Sequence, residues 1–506
     1  MMEENSSENS SLNDSQPTTK CHDNSLADFR KYQIVLLVLT QLGYVSIAAC
    51  LLVASVFSAP TGYCEQNRTI EQIDIDFHSL LIEWDMACIT YKVRDTVASV
   101  IMFGGLAGAF LCGYLADAYG RRPTMLGCLL TISLGCLAVS LIGGLNWLFT
   151  TFLLGILGAA CGGYMVVNLT LVVEFLCTSR SRLLVVSVNG WPMGMTAVAA
   201  LYRYSGHWRP YFYFTTAFTT IIFVLLYWWS LESVRWLASK NRVKQAVAIA
   251  EKVIDVNGDS HGSQFLLHVA SRGTSHESNE PPRHYRYTDL LRYPSIRRPL
   301  LALTYCFVAS SIVSFGYYFF VDVIPGNRIT NLGAMGLLKL FCGLIPFMLS
   351  FIGRRPMVLV SLGVACVSSY TILILYYAGL STTCWLYGML SIIAAAAIDP
   401  AWKVNHLYST ELFPTSVRSM ARAVCNIGGR LGSVVAPWIA GLSSVWFLAP
   451  YLVFTAFVSV QWIVTLCCLP ETRDRPLVEG IIEEETEQNK QHQYECRPVT
   501  EKLTKC

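Results

Sequence analysis

Twelve apolar runs, each near the ~20 residues that carry a helix across the hydrocarbon core of a bilayer, limit what this chain can become. They fall near residues 34–57, 95–117, 124–143, 147–170, 184–203, 211–230, 300–321, 332–352, 357–379, 384–407, 422–442 and 447–468. Such runs must cross as helices, because an open strand would leave its backbone amides unpaired in lipid. Composition points the same way. Only 14% of the residues are charged and 53% are hydrophobic, against about 25% charged in soluble domains, so polar surface is too scarce to coat a water-facing globule. Residues 1–30 are polar and rich in Ser and Asn. The first run therefore reads as a retained anchor rather than a signal peptide. The expected fold class is an all-α polytopic membrane protein with twelve transmembrane helices.

A near-repeat divides the series in two. Val167-Asn168, Glu174 and Thr178-Ser179 recur 237 residues later as Val404-Asn405, Glu411 and Thr415-Ser416. Gly120-Arg121-Arg122-Pro123 likewise returns as Gly353-Arg354-Arg355-Pro356. Duplication at half-chain spacing is how many transporters are built, with substrate held between related halves. The expected domains are a tail over 1–33, a six-helix half over 34–230, a linker over 231–299, a second half over 300–468 and a tail over 469–506.

Lys and Arg set the orientation. Arg121, Arg122, Arg182, Arg235, Lys240, Arg242, Arg297, Arg354, Arg355, Arg418 and Arg473 fall on one side, and the acid-rich 58–94 loop falls on the other. Arg203, Arg209 and Arg328 run against this majority. Both termini are expected in the cytoplasm of a multi-pass plasma-membrane protein. The outer loop then carries a glycosylation sequon at Asn67. It also holds Cys64 and Cys88, the one pair of cysteines sharing an oxidising loop, which makes a disulfide there the expectation. Most other cysteines lie in apolar runs, where a thiol acts as a small hydrophobe. The linker contains a helical pattern near 242–255, and the Glu-rich tail from 479 reads as solvated.

Short motifs mark the run ends. Gly113-Tyr114-Leu115-Ala116-Asp117 leads into Gly120-Arg121-Arg122, with Gly113 suited to close helix approach and Gly120 to a tight turn. Glu232-Ser233-Val234-Arg235-Trp236-Leu237 follows run 6, and Pro470-Glu471-Thr472-Arg473 follows run 12. Glu83-Trp84-Asp85 precedes run 2, and Glu411-Leu412-Phe413-Pro414-Thr415-Ser416-Val417-Arg418 follows run 10. Together these resemble the organic cation/anion/zwitterion transporters, the solute carrier family 22-like branch of the major facilitator superfamily, over residues 57–477. The resemblance implies two pseudo-symmetric six-helix halves. It also implies inner-gate sets built from Asp117, Arg121, Glu174, Glu232 and Arg235 in one half, and Arg354, Glu411, Glu471 and Arg473 in the other. The chain departs from the family at Val234, where proline is usual, and at Cys342, where anion-carrying relatives have lysine.

Charges inside the runs cost about 2.5–3.5 kcal/mol by insertion scales and are functional candidates by default. Arg430, mid-run 11, stands where the resembled anion and zwitterion carriers have arginine and cation carriers have aspartate. The bland alternative is a structural partner for Asp399. Asp399 and Lys403 are spaced i, i+4 and can pair along one helix face, or can supply a cation or proton site. Phe315, Tyr305 and Tyr164 are the aromatic cavity candidates, whereas the aromatics at 317–320 read as an interfacial belt. His207 and His406 lack a ligand pattern, so no metal is expected. No nucleotide loop or catalytic constellation is visible, so neither a cofactor nor enzyme chemistry is expected, and no nucleic-acid partner.

The resulting expectation is a secondary transporter of small organic ions, acting as a monomer by alternating access, with a slight lean to anions or zwitterions. Cation transport on the same fold, or a non-transporting receptor or scaffold, stand as alternatives. The coupling ion or proton stays open.

Overall fold

The structure, a computed structural model, describes residues 29–57, 77–86, 91–176, 179–258, 266–267, 269–270, 287–348, 351–414 and 417–473. Asn67, Cys64 and Cys88 lie outside those residues.

Among the described residues, twelve long helices carry the fold. The first six are α1 (Lys31–Leu51), α2 (Tyr91–Tyr119), α3 (Arg121–Ile142), α4 (Trp147–Glu174), α5 (Trp191–Ser205) and α6 (Trp208–Trp229). The second six are α7 (Pro294–Phe319), α8 (Arg328–Met348), α9 (Arg354–Tyr377), α10 (Trp385–Glu411), α11 (Arg418–Gly441) and α12 (Ala449–Cys468). Among the described residues, eleven spans are long and apolar enough to cross a membrane. The twelfth, α11, is of matching length but carries Arg418, Arg422, Asn426 and Arg430. Among the described residues the only β pairing is an isolated bridge between His78 and His207.

Local chemistry fixes the helix starts. Asn146 caps α4 by accepting the Leu148 and Phe149 N–H groups at 2.9 and 3.3 Å, which satisfies donors that a helix start otherwise leaves orphaned. Gly120 turns the chain between α2 and α3 at φ +122°, a conformation that only glycine adopts without strain. The turn expected at Gly120 is therefore present. Gly113 differs from expectation, since a Cβ there would meet nothing within 4 Å. The close approach lies deeper, where a Cβ on Gly108 would overlap the Ala159 carbonyl and one on Gly162 the Gly105 carbonyl. Small residues thus let α2 and α4 pack backbone to backbone, the packing that works where lipid supplies no hydrophobic drive.

Each set of six helices packs as one half, and the halves meet along α2 against α11 and α5 against α8. Phe152, Ile221, Val360, Val367 and Ile374 project from the bundle, while Asn168, Asn405 and Gln461 are fully buried. A water-soluble protein has the reverse distribution. Tyr317, Tyr318, Phe319 and Phe320 are also buried, not arrayed as an interfacial belt. They pack inward on α12, with Phe320 4.9 Å from the Tyr451 ring and Tyr317 5.0 Å from Phe454.

Candidate functional site

The repeated motifs build matching clusters on one face of the bundle, the basic face. Glu232 accepts the Arg121 N–H at 2.9 Å and the Arg122 N–H at 3.2 Å. Glu471 accepts the Arg354 N–H at 2.9 Å and the Arg355 N–H at 3.1 Å. Each carboxylate therefore sits on the positive start of α3 or α9. Burial pushes the Glu471 carboxyl up, but the N–H groups of Arg473, Arg354, Arg355 and Thr472 outweigh it and hold the group below its usual range. Around these caps, Arg121 pairs with Asp117 at 2.9 Å and with Glu174 at 3.4 Å. Arg354 pairs with Glu411 at 3.2 Å, and Thr472 donates to the other Glu411 oxygen at 2.6 Å. Arg235 donates to the Leu176 carbonyl at 3.0 Å. All these bonds lie inside one half or the other.

Between the halves, a 1170 Å³ cavity opens toward the basic face past Arg182, Arg354, Glu411, Pro414 and Glu471. It runs on into a 650 Å³ chamber lined by Tyr44, Trp191, Phe315, Tyr318, Lys339 and Arg430. Lys403, His406, Arg418 and Arg422 border both spaces. Five basic side chains thus face the chamber (Lys339, Lys403, Arg418, Arg422 and Arg430) against one acid, Asp399. Asp399 is taken by Lys403 at 3.1 Å. Arg430 approaches the Met165 sulfur at 3.6 Å, and among the described residues no carboxylate pairs with it. Lys339 donates to the Tyr318 hydroxyl at 2.8 Å and lies 4.7 Å from that ring's centre. Trp191 of the first half donates to the same hydroxyl at 3.1 Å, so an aromatic roof joins the halves over the chamber.

Beyond that roof the opposite face is sealed by charge. Arg94, near the start of α2, pairs with Asp322 of the second half at 2.5 Å and with Asp95 at 3.0 Å. The three side chains are 5, 11 and 7% exposed. Ser99 adds a bond across the seam to the Val434 carbonyl at 3.0 Å. His78, Glu83 and His207 also come together there, with ligand atoms within 4.8 Å of one another. Two of the three, Glu83 and His207, are already engaged. The His207 Nδ1 accepts the Arg209 N–H at 3.1 Å, and Arg209 pairs with Glu83 at 2.9 Å. Burial, then the neighbouring His78, holds His207 below its ordinary value, and the two rings stack 4.7 Å apart.

Two pseudo-symmetric halves, enclosing a charged cavity and carrying repeated arginine–glutamate clusters at one face, are the architecture of a carrier. Residues 43–481 match the sugar (and other) transporter family. The chain belongs to that family. Solute carrier family 22 member 20 of Mus musculus is 28% identical to it over 413 residues, 80% of this chain and 72% of the mouse protein. The organic cation transporter protein of Drosophila melanogaster is 26% identical over 412 residues, 80% of this chain and 73% of its own length. A partially occluded, inward-open structure of the xylose transporter XylE from E. coli superposes with a TM-score of 0.64 at 16% identity, covering 88% of this chain and all of that one. The major facilitator fold and the solute carrier family 22 resemblance are thereby borne out.

Within this transporter fold the structure sorts the residues expected from sequence. Arg430, Asp399, Lys403 and Phe315 line the chamber. Tyr164 and Tyr305 do not. Tyr164 is fully buried and donates to the Thr40 carbonyl at 2.9 Å, bracing α4 on α1. Tyr305 stacks 6.5 Å from Phe457, on the α12 side of α7. The aromatic lining comes instead from Tyr44, Trp191 and Tyr318. Sequence reading also missed the Arg94–Asp322 seal, although two adjacent charges opening an apolar run were a visible signal.

Proposed function

We propose that the protein carries small organic anions, or zwitterions presenting a carboxylate, across the plasma membrane by alternating access, with both termini cytoplasmic. One observation carries this reading: among the described residues Arg430 faces the chamber with no carboxylate partner, amid an excess of basic side chains over one acid, Asp399. A guanidinium can take a carboxylate bidentately, and the aromatic walls suit a flat organic body. Arg430 is the selectivity residue, with Lys339 and Arg422 as further positive groups and Phe315, Tyr44 and Tyr318 as the walls. The Drosophila relative's name points to cations, and Asp399 would be the group to hold one, but its carboxylate is occupied by Lys403.

The basic-face clusters form the gate, with Asp117, Arg121, Glu174, Glu232 and Arg235 in one half and Arg354, Glu411, Glu471 and Arg473 in the other. The open cavity at that face gives an inward-facing state. Uptake of a panel of organic anions, zwitterions and cations into cells expressing the protein tests the reading. Arg430→Asp should lower anion uptake at least tenfold, while Arg430→Lys keeps part of it. Equal anion uptake by wild type and Arg430→Asp would end the assignment.

A further inference from the structure

The fifth span is not a continuous helix. A helix runs over Ser179–Ser187, the chain breaks at Val188–Gly190, and α5 resumes at Trp191. The break is chemically satisfied on its amide side, where Gly190 donates to the Gln41 side chain at 2.6 Å and Trp191 to Asn189 at 3.0 Å. Its carbonyl side points at Lys403. The Lys403 ammonium donates to the Ser187 carbonyl at 2.6 Å and the Gly343 carbonyl at 3.0 Å, and meets Asp399 Oδ2 at 3.1 Å. The ammonium therefore has three oxygens around it, two as hydrogen-bond acceptors and one as an ion-pair partner. Ser187 belongs to the first half and the other two groups to the second.

Two backbone carbonyls, one at the negative end of an interrupted helix, plus one carboxylate make the donor set with which broken-helix transporters hold coupling cations. Asp399 and Lys403 are only 7 and 5% exposed, so a cation is required there to balance the buried acid. Glycine at 343 leaves room for it, since a Cβ would overlap Lys403 Nζ and crowd Asp399. We propose that Lys403 is a tethered cation filling a monovalent-cation site at the seam between the halves. The carrier accordingly needs no free sodium or potassium at this position. Lys339 on α8 and Arg422 and Arg430 on α11 share the chamber and further disfavour a second ion while Lys403 is in place.

The site makes a prediction independent of what is transported. Purified full-length protein is melted in N-methyl-D-glucamine, sodium, potassium or methylammonium chloride at equal ionic strength. Wild type should melt alike in all four. Lys403→Ala should melt several degrees lower in N-methyl-D-glucamine and recover in at least one small cation. The double variant Asp399→Asn/Lys403→Ala, which buries no uncompensated acid, should fold and ignore the cation. A Lys403→Ala variant indifferent to the salt, or a double variant that responds as the single one does, overturns the proposal. The uptake arm rests on the transport reading: Lys403→Ala should regain several-fold organic-anion uptake in the stabilising cation. Cation-dependent melting without anion uptake in any variant would sink the substrate assignment and leave the site standing.

Discussion

At the scale of single residues, Glu232 and Glu471 bind the backbone starts of α3 and α9 as well as sitting among the arginines. Such a cap contributes typically ~1 kcal/mol, and Glu471→Gln keeps the size while losing the charge that strengthens it. That variant should melt a few degrees below wild type at neutral pH. The sign of its pH dependence follows from the lowered Glu471 value. Its contribution is present above the usual carboxylate value of 4.5 and disappears as pH falls through the lower folded value. Wild type and Glu471→Gln melting curves should therefore converge in acid, and a gap that stays constant to pH 3 would contradict the cap.

Arg430 was legible from sequence because a guanidinium in the middle of an apolar run has no cheap explanation. Tyr164 was misread because a tyrosine in a run looks the same whether it faces a cavity or braces two helices. Its phenol bond to Thr40, 124 residues away, has no local signature.

At the scale of the element, glycine positions that look alike in sequence do different work. Gly162 lets α4 touch the α2 backbone, whereas Gly113 faces open space. Gly162→Leu should abolish the yield of folded protein, and Gly113→Ala should be neutral or stabilise by about 0.5–1 kcal/mol through the lower chain entropy of alanine. Quantifying folded protein by fluorescence-detected size exclusion separates the two, and equal losses from both would refute the packing assignment. Helix count and the turn at Gly120 were readable from run length and motif. The break in the fifth span was not, since a run scored on apolarity does not register where backbone bonds lapse, even though Asn189-Gly190-Trp191-Pro192 lay in plain view. The polarity of α11 has the opposite lesson: the span least convincing as a membrane helix carries the arginines that face the chamber.

For the whole molecule, the sequence repeat becomes a structural one. Each half caps a helix with a glutamate, pairs its arginine with the glutamate of its own fourth helix, and keeps those bonds to itself. In this state, open at the basic face, each half therefore holds its cluster intact. Bonds that do cross, at Arg94–Asp322, Ser99–Val434, Trp191–Tyr318, Lys403–Ser187 and Arg430–Met165, are the ones a conformational cycle must remake. They were illegible because each joins a residue of one half to an unrelated residue of the other; Arg94 and Asp322 are 228 apart in sequence. Replacing that pair by Arg94→Cys and Asp322→Cys should permit oxidative cross-linking that stops transport and is reversed by reductant. Full transport by the cross-linked protein would show that this face need not open.

The seal formed by Arg94, Asp95 and Asp322 has a further consequence for how the carrier meets its surroundings. While closed, these charges are shut away from electrolyte and are screened little. Once the seam parts they stand in water, where counterions stabilise them individually. Dissolved salt therefore favours the parted arrangement over the closed one, whatever the cargo. The ionic strength on the side of the membrane that the seal faces becomes a setting on the resting posture of the empty carrier.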